Sequence, residues 1–145
     1  MPSAKGASGS MVNYLLDTNH LSPFVTLNHP LRQLLIDRLQ QGDTFGIPAP
    51  ALTEFLFGIQ TIPRAATNLQ EWQKYQNAFA YYDIRRDDAE LAATLQLELR
   101  RRGRQLHTVD ALIAAVALRY NLILLTTDKD FQAVIGLPQE NWVTG

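Results

Sequence analysis

The sequence predicts an α/β domain with helices packed around a central parallel sheet. Two runs carry most of that reading: NYLL at 13–16 and LILL at 122–125 are short and apolar without alternation. That is the pattern of strands buried on both faces. The third observation is that stretches with helical spacing fill the intervals between strand candidates, as in crossover-connected sheets.

In chain order, the first strand at 13–16 runs into Asp17-Thr18-Asn19. Leu31, Leu34, Leu35 and Leu39 then repeat at helical spacing over 31–39, and Gly42 offers a stop. A short strand is expected at 44–47. A helix over 49–59 follows, with Pro48 and Pro50 suiting its first turn. Leu69, Trp72, Tyr75 and Phe79 mark a helix over 65–80, and a strand is expected at 81–84. Leu91, Leu95 and Leu99 mark a helix over 87–102, with acids in its first turn and Gly103 after its end. The Ala-rich stretch 109–119 is a helix for which Thr108 is the expected N-cap. The buried run at 122–125 enters Thr126-Thr127-Asp128, and a last strand is expected at Trp142-Val143.

Composition narrows the function. With 145 residues and 46% apolar content, one domain can build its core without disulfides. The absence of cysteine removes thiol chemistry and zinc ribbons and fits a reducing cytoplasm. No apolar run approaches the ~20 residues needed to span a bilayer. The first ten residues, MPSAKGASGS, lack the apolar stretch of a signal peptide. They read as an expression-derived tail, expected to be disordered, ahead of a native start at Met11. The net charge of −1 gives no bulk basic character, yet Arg85, Arg86, Arg100, Arg101, Arg102 and Arg104 hold six of the 13 lysines and arginines. A solvated helix end explains such a run as readily as a nucleic-acid contact does.

The carboxylates are more specific. Asp17 is the only acid, lysine or arginine from 11 to 31, Glu54 the only one from 44 to 63, and Asp110 the only one from 109 to 118. A lone carboxylate in an apolar segment is costly to bury unless it is paired or binds a cation. Each acid also has a plain structural explanation. Asp17 can cap a following helix, Asp110 suits a first helical turn, and Asp128 and Asp130 suit a turn after a strand. Glu54, mid-pattern in ALTEFLFGI, has nothing to cap. In open α/β sheets ligands gather beyond the carboxyl ends of the strands, where Asp17 and Asp128 both fall. If those strands are neighbours, the two acids converge, and Asp110 opens a helix at the same rim. Such a cluster stays ionised only with a cation, and all-oxygen donors favour Mg²⁺ or Mn²⁺ over zinc. Carboxylate-held metal beside a phosphate serves phosphodiester hydrolysis.

LLDTN at 15–19, the TEF containing Glu54, VDALIAAVAL around Asp110 and LLTTDKDF at 124–131 together resemble the PIN-domain signature. Their order and spacing are most similar to VapC-type toxins of type II toxin–antitoxin pairs, over essentially the whole chain from Met11. The resemblance implies a single PIN-like domain over 11–145, a three-layer α/β/α fold with a mainly parallel sheet of about five strands. It implies an acidic quartet of Asp17, Glu54, Asp110 and Asp128 holding one or two metals, with Asp130 a second candidate for the fourth position. Thr18, Asn19, Thr126 and Thr127 match the polar residues beside the first and last acids. The implied activity is Mg²⁺-dependent cleavage of single-stranded regions of structured RNA, transfer or ribosomal, in the cytoplasm. The implied partners are RNA, a cognate antitoxin and a second copy of the chain. Arg100, Arg101, Arg102 and Arg104, leading towards Asp110, are candidate phosphate contacts. Phe55, Phe57, Tyr81 and Tyr82 are candidates for base stacking, against a stronger expectation of core packing. His107, just outside a helix start, is left out of the catalytic set.

Three other readings are weighed. A non-catalytic PIN-like binding module would have lost one of the four acids. A receiver-like phosphoacceptor would want paired acids after the first strand, and a small-molecule phosphatase a DxD there. Asp17-Thr18-Asn19 provides neither.

Overall fold

The computed structural model describes residues 11–144. The tail at 1–10, with its expected disorder, lies outside the described residues. The sheet has five strands, all parallel: β1 (Asn13–Leu16), β2 (Thr44–Pro48), β3 (Ala80–Tyr82), β4 (Ile123–Leu125) and β5 (Gln139–Glu140), in the spatial order β3-β2-β1-β4-β5. Six α-helices connect them among the described residues: α1 (Thr18–Leu21), α2 (Pro30–Gln40), α3 (Ala49–Thr61), α4 (Ala65–Tyr75), α5 (Arg86–Arg101) and α6 (Thr108–Arg119).

The apolar runs split between two cores as the pleat requires. Tyr14, Leu16 and Leu125 point to one face, where they meet Phe24, Leu35, Phe55 and Trp72 from the segment containing α2, α3 and α4. Leu15 and Leu124 point to the other, against Leu95, Leu99 and the α6 alanines. Three layers result. On α6, Ala111, Ala114, Ala115 and Ala117 are fully buried, so the helix backbone approaches its neighbours closely.

Some boundaries differ from expectation. The helix expected over 65–80 ends at Tyr75, and a 3₁₀ turn at Gln76–Ala78 brings Ala80 into register with Gly46. The third strand therefore starts one residue early and stops at Tyr82, and Ile84 packs beneath α5 and α6 instead. The last strand is Gln139–Glu140 rather than 142–143. Trp142 gives its backbone N–H to His20 and its ring to Tyr14 and Phe45, so it has no part in a ladder. Thr108 is the first residue of α6, not its cap. His107 holds the cap position without a side-chain bond, and Thr108 Oγ1 accepts from Gln96. The short α1 is the helix that Asp17 can cap, and it runs for a single turn.

Gly46 lies where β2 passes beneath Tyr82. A Cβ on it would stand 2.3 Å from the tyrosine ring. That ring packs on Tyr120, whose neighbour Arg119 binds the buried Asp88 at 2.5 Å. The edge β3 thus packs through a glycine-only approach and the Tyr82–Tyr120 contact, beside an ion pair whose acid is fully buried.

Candidate active site

The strand order changes direction of growth at β1, so the carboxyl ends of β1 and β4 form the switch point of the sheet. Leu16 pairs with Leu125, and the next residues on each strand emerge together, Asp17 N donating to Leu125 O at 3.0 Å. Asp17 caps α1 through Thr18 N at 2.9 Å, so its structural explanation holds. It does not exhaust the side chain. The second oxygen, Oδ2, accepts from Thr126 Oγ1 at 2.8 Å and Asn19 Nδ2 at 3.2 Å.

Thr126 is the hinge of the arrangement. Buried at the end of β4, it donates to Asp17 and accepts from Asp128 N at 3.0 Å. Thr127 offers its backbone N–H to Asn19 Oδ1 at 3.1 Å. Thr18 Oγ1 contacts Glu54 Oε2 at 3.3 Å, which joins α3 to the same network. Asp110, in the first turn of α6, is half-buried. Its pKa is pushed up to about 6 by burial first, then by the negative charges of Asp128 and Asp17, with Asp130 adding least. Three acids from three elements therefore share one electrostatic neighbourhood, and Glu54 reaches it through Thr18.

Not every expected residue behaves as its segment suggested. Glu54 is exposed, so the argument that an isolated acid there must be buried does not hold. Asp128 is half-buried and caps a 3₁₀ turn through Asp130 N, while Asp130 itself is exposed. Phe55 is buried against Trp72, and Tyr82 packs on Tyr120, whereas Phe57 is 71% exposed. The apolar residues of α2 point inward, with Leu31 and Leu35 buried. The arginine run divides. Arg102 donates to Ala133 O at 2.8 Å, and Arg101 is exposed. Arg104 lies between two clefts, one of about 590 Å³ that it shares with Arg100 and one of about 400 Å³ that it shares with Lys129 and Asp130. A third, of about 130 Å³, continues past Lys129 to Asp128 and Thr126. Neighbouring clefts share lining residues, Arg104 and Gln105 between the first two and Lys129 and Gln132 between the last two, so the series reaches from Asp128 to Arg100.

Sequence reasoning missed His20 and Trp142. His20 is fully buried, and burial pushes its pKa down to about 4, so the ring is neutral. Its Nδ1 stands 2.7 Å from Asn19 Oδ1, and its Nε2 accepts from Trp142 N at 2.9 Å. A histidine among apolar residues carries no signal of a partner 122 residues away.

The donor set is entirely oxygen, which suits a hard divalent cation. Among the described residues no three acidic or histidine side chains are grouped closely enough to hold a metal ion by themselves. Such a site resembles the ordinary Mg²⁺ arrangement, one or two carboxylates with water and substrate completing the shell.

A family model for the PIN domain matches residues 14–137, and the chain belongs to the PIN-domain family. Within it, the similarity is to VapC-type ribonucleases. Ribonuclease VapC2 of Haemophilus influenzae is 26% identical over 134 residues, covering 92% of this chain and all of that one. The tRNA(fMet)-specific endonuclease VapC of Shigella flexneri is 28% identical over 133 residues, covering 91% and 99%. Among solved structures, VapBC2 from Rickettsia felis bound to a DNA fragment from its promoter superposes with a TM-score of 0.78 at 23% identity, over 90% of this chain and 99% of that one. That last likeness carries the fold.

Proposed function

We propose that this chain is a Mg²⁺-dependent endoribonuclease, the toxin of a VapBC-like pair, cutting single-stranded regions of structured RNA. Mn²⁺ is an expected substitute. The observation that carries the reading is that Asp17, Asp110 and Asp128 share one neighbourhood at the β1/β4 switch point, where burial first and then the charges of Asp128 and Asp17 raise the Asp110 pKa to about 6. Acids that raise one another's pKa are costly to keep ionised without a counter-cation. The similar ribonucleases support RNA as the substrate, and the tRNA-specific relative makes transfer RNA the first to try, ahead of ribosomal RNA.

A divalent ion taken up among Asp17, Asp110 and Asp128, with water completing its shell, would polarise the scissile phosphate and ease ionisation of the attacking water. The chain's own residues do the rest. Thr126 and Asn19 hold Asp17 Oδ2 in one orientation. Glu54, tied to Thr18, is the carboxylate at hand to orient and deprotonate water. Asp128 rather than Asp130 is taken as the fourth acid, because it is the more buried and acts more strongly on Asp110. Arg100, Arg104 and Lys129 along the clefts would take flanking phosphates. The partners proposed are RNA, a cognate antitoxin and a second copy of the chain, all in the cytoplasm. No helix among the described residues is long and apolar enough to cross a membrane.

The test is cleavage of transfer and ribosomal RNA by purified protein, with Mg²⁺ or with excess chelator, beside an Asp17→Asn variant. Discrete cuts that vanish with chelator and in the variant support the reading. If wild type and variant behave alike across several RNAs with Mg²⁺ or Mn²⁺, the reading fails and a non-catalytic PIN-like binding module replaces it.

A further inference from the structure

We infer that His20 is a positioning residue, a fixed donor that orients Asn19 and through it the Asp17 carboxylate, and so ties the site to the segment around Trp142. The inference rests on the reading of Asp17 as a metal ligand only for its consequence, not for its geometry.

The geometry leaves one arrangement. Trp142 N–H can only donate, so His20 Nε2, 2.9 Å away, is the acceptor and carries no proton. The neutral ring then bears its proton on Nδ1, which donates to Asn19 Oδ1 at 2.7 Å. Asn19 Oδ1 takes a second proton from Thr127 N at 3.1 Å, which excludes the flipped amide. Its Nδ2 is thereby aimed at Asp17 Oδ2, 3.2 Å away. Every link has its direction set by the one before. The far end is anchored too: the Trp142 indole N–H donates to Glu140 Oε1 at 2.9 Å, and the ring packs on Tyr14 and Phe45. Burial, which holds the His20 pKa at about 4, keeps the relay neutral across the working range. A residue present only to fill space would need neither nitrogen.

Partners that orient ligands through hydrogen bonds usually cost about 10- to 100-fold in metal affinity when removed. His20 acts one bond further out, so we expect the low end of that range.

The first arm of the test is ¹⁵N NMR of the metal-free wild-type chain, reading which His20 ring nitrogen is protonated. A proton on Nδ1 is the expected result, and a proton on Nε2 overturns the inference. The second arm compares His20→Asn with His20→Gln for Mg²⁺ affinity by calorimetry, without RNA. The asparagine amide occupies the place of Nδ1, keeping the donor to Asn19 and losing the acceptor for Trp142. The glutamine amide reaches the place of Nε2 and does the reverse. His20→Gln should weaken Mg²⁺ by about tenfold and His20→Asn by about twofold or less. Equal losses, or the larger loss in His20→Asn, assign His20 to packing of the Trp142 segment and overturn the inference. Should neither variant fold, Mg²⁺ titration of the wild type decides. The His20 Hδ1 and Asn19 side-chain amide signals should move with one midpoint, and a fixed His20 Hδ1 overturns the coupling. A protein that shows the Nδ1–H tautomer but binds no Mg²⁺ keeps the relay and loses the metal reading, so the two failures are distinguishable.

Discussion

Acidification sets the buried His20 against the half-buried Asp110, and the outcome can be worked out in advance. The His20 pKa is lowered from 6.5 to about 4 by burial alone. Its folded value lies below its unfolded one, so its contribution is complete above 6.5 and is lost as pH falls towards 4. At about pH 5 the loss relative to neutral pH is about 2 kcal/mol, approaching about 3.4 kcal/mol below pH 4. Asp110 runs the other way. Its pKa is raised from 3.8 to about 6, by burial first and then by Asp128 and Asp17. The folded state therefore holds that proton more tightly, and protonation between pH 6 and 3.8 stabilises it, by at most about 1.4 kcal/mol at about pH 5 once solvent screening of this half-buried group is allowed for. The wild type should thus lose less over this range than His20 alone would cost, a net loss from these two groups below about 2 kcal/mol. Variants separate them. In urea unfolding at about pH 7.5 and about pH 5, Asp110→Asn should lose up to about 1.4 kcal/mol more than wild type on acidification, having given up the stabilising proton. His20→Asn should lose about 2 kcal/mol less than wild type over the same interval. If the variants and wild type acidify in parallel, neither group is perturbed as the structure requires and the reasoning fails.

Further outcomes follow from the same contacts. Gly46→Ala should cost about 1–3 kcal/mol in urea unfolding, because its Cβ would meet the Tyr82 ring at 2.3 Å; a cost near zero would mean the ring turns aside freely. Asp88→Ala should cost about 1–3 kcal/mol, since it leaves Arg85 N without its acceptor and Arg119, part-exposed and still paired with Asp87, without its buried one; a loss under about 0.5 kcal/mol would show both re-solvated at no expense. RNA binding by Asp17→Asn protein, which leaves RNA intact, should lose salt dependence when Lys129 or Arg104 becomes Ala. The slope of log affinity against log salt should fall by about 0.7 for each phosphate contact removed, and an unchanged slope takes the RNA backbone off these clefts.

The strongest elements were legible because their physics is local. A strand must be apolar where it is buried on both faces, and β1 beyond the exposed Asn13 and β4 are. The departures lie where a distant partner decides. Trp142 and Val143 look like strand residues. Yet the Trp142 N–H is claimed by His20 and its ring by the aromatic cluster over β1, so the ladder stops at Glu140. Helix α4 ends early because Ala80 must meet Gly46 on β2, a register set across the sheet and not within the helix.

The acids show the same division more sharply. Asp17 and Asp128 follow buried strands, and adjacency of β1 and β4 was enough to bring their segments together. Glu54 was singled out for a reason that the structure removes. In α3, Ala51, Phe55 and Ile59 repeat every four residues and form the buried stripe, while Glu54 stands beside that stripe near the 71% exposed Phe57. An apolar segment is therefore not an interior one, and the isolation of a carboxylate in sequence says nothing about its solvent. What connects Glu54 to the site is Thr18, 36 residues away, at 3.3 Å. That contact places a solvent-accessible carboxylate next to the less accessible Asp17. A group that hands protons to bulk water needs that access, whereas a ligand held by Thr126 and Asn19 does not. On this argument Glu54→Gln should abolish cleavage by the proposed mechanism while leaving Mg²⁺ affinity within about threefold, against about 10-fold or more lost in Asp17→Asn. Calorimetry beside the cleavage assay separates the two, and equal loss of Mg²⁺ binding in both variants would make Glu54 a ligand and the division of roles wrong.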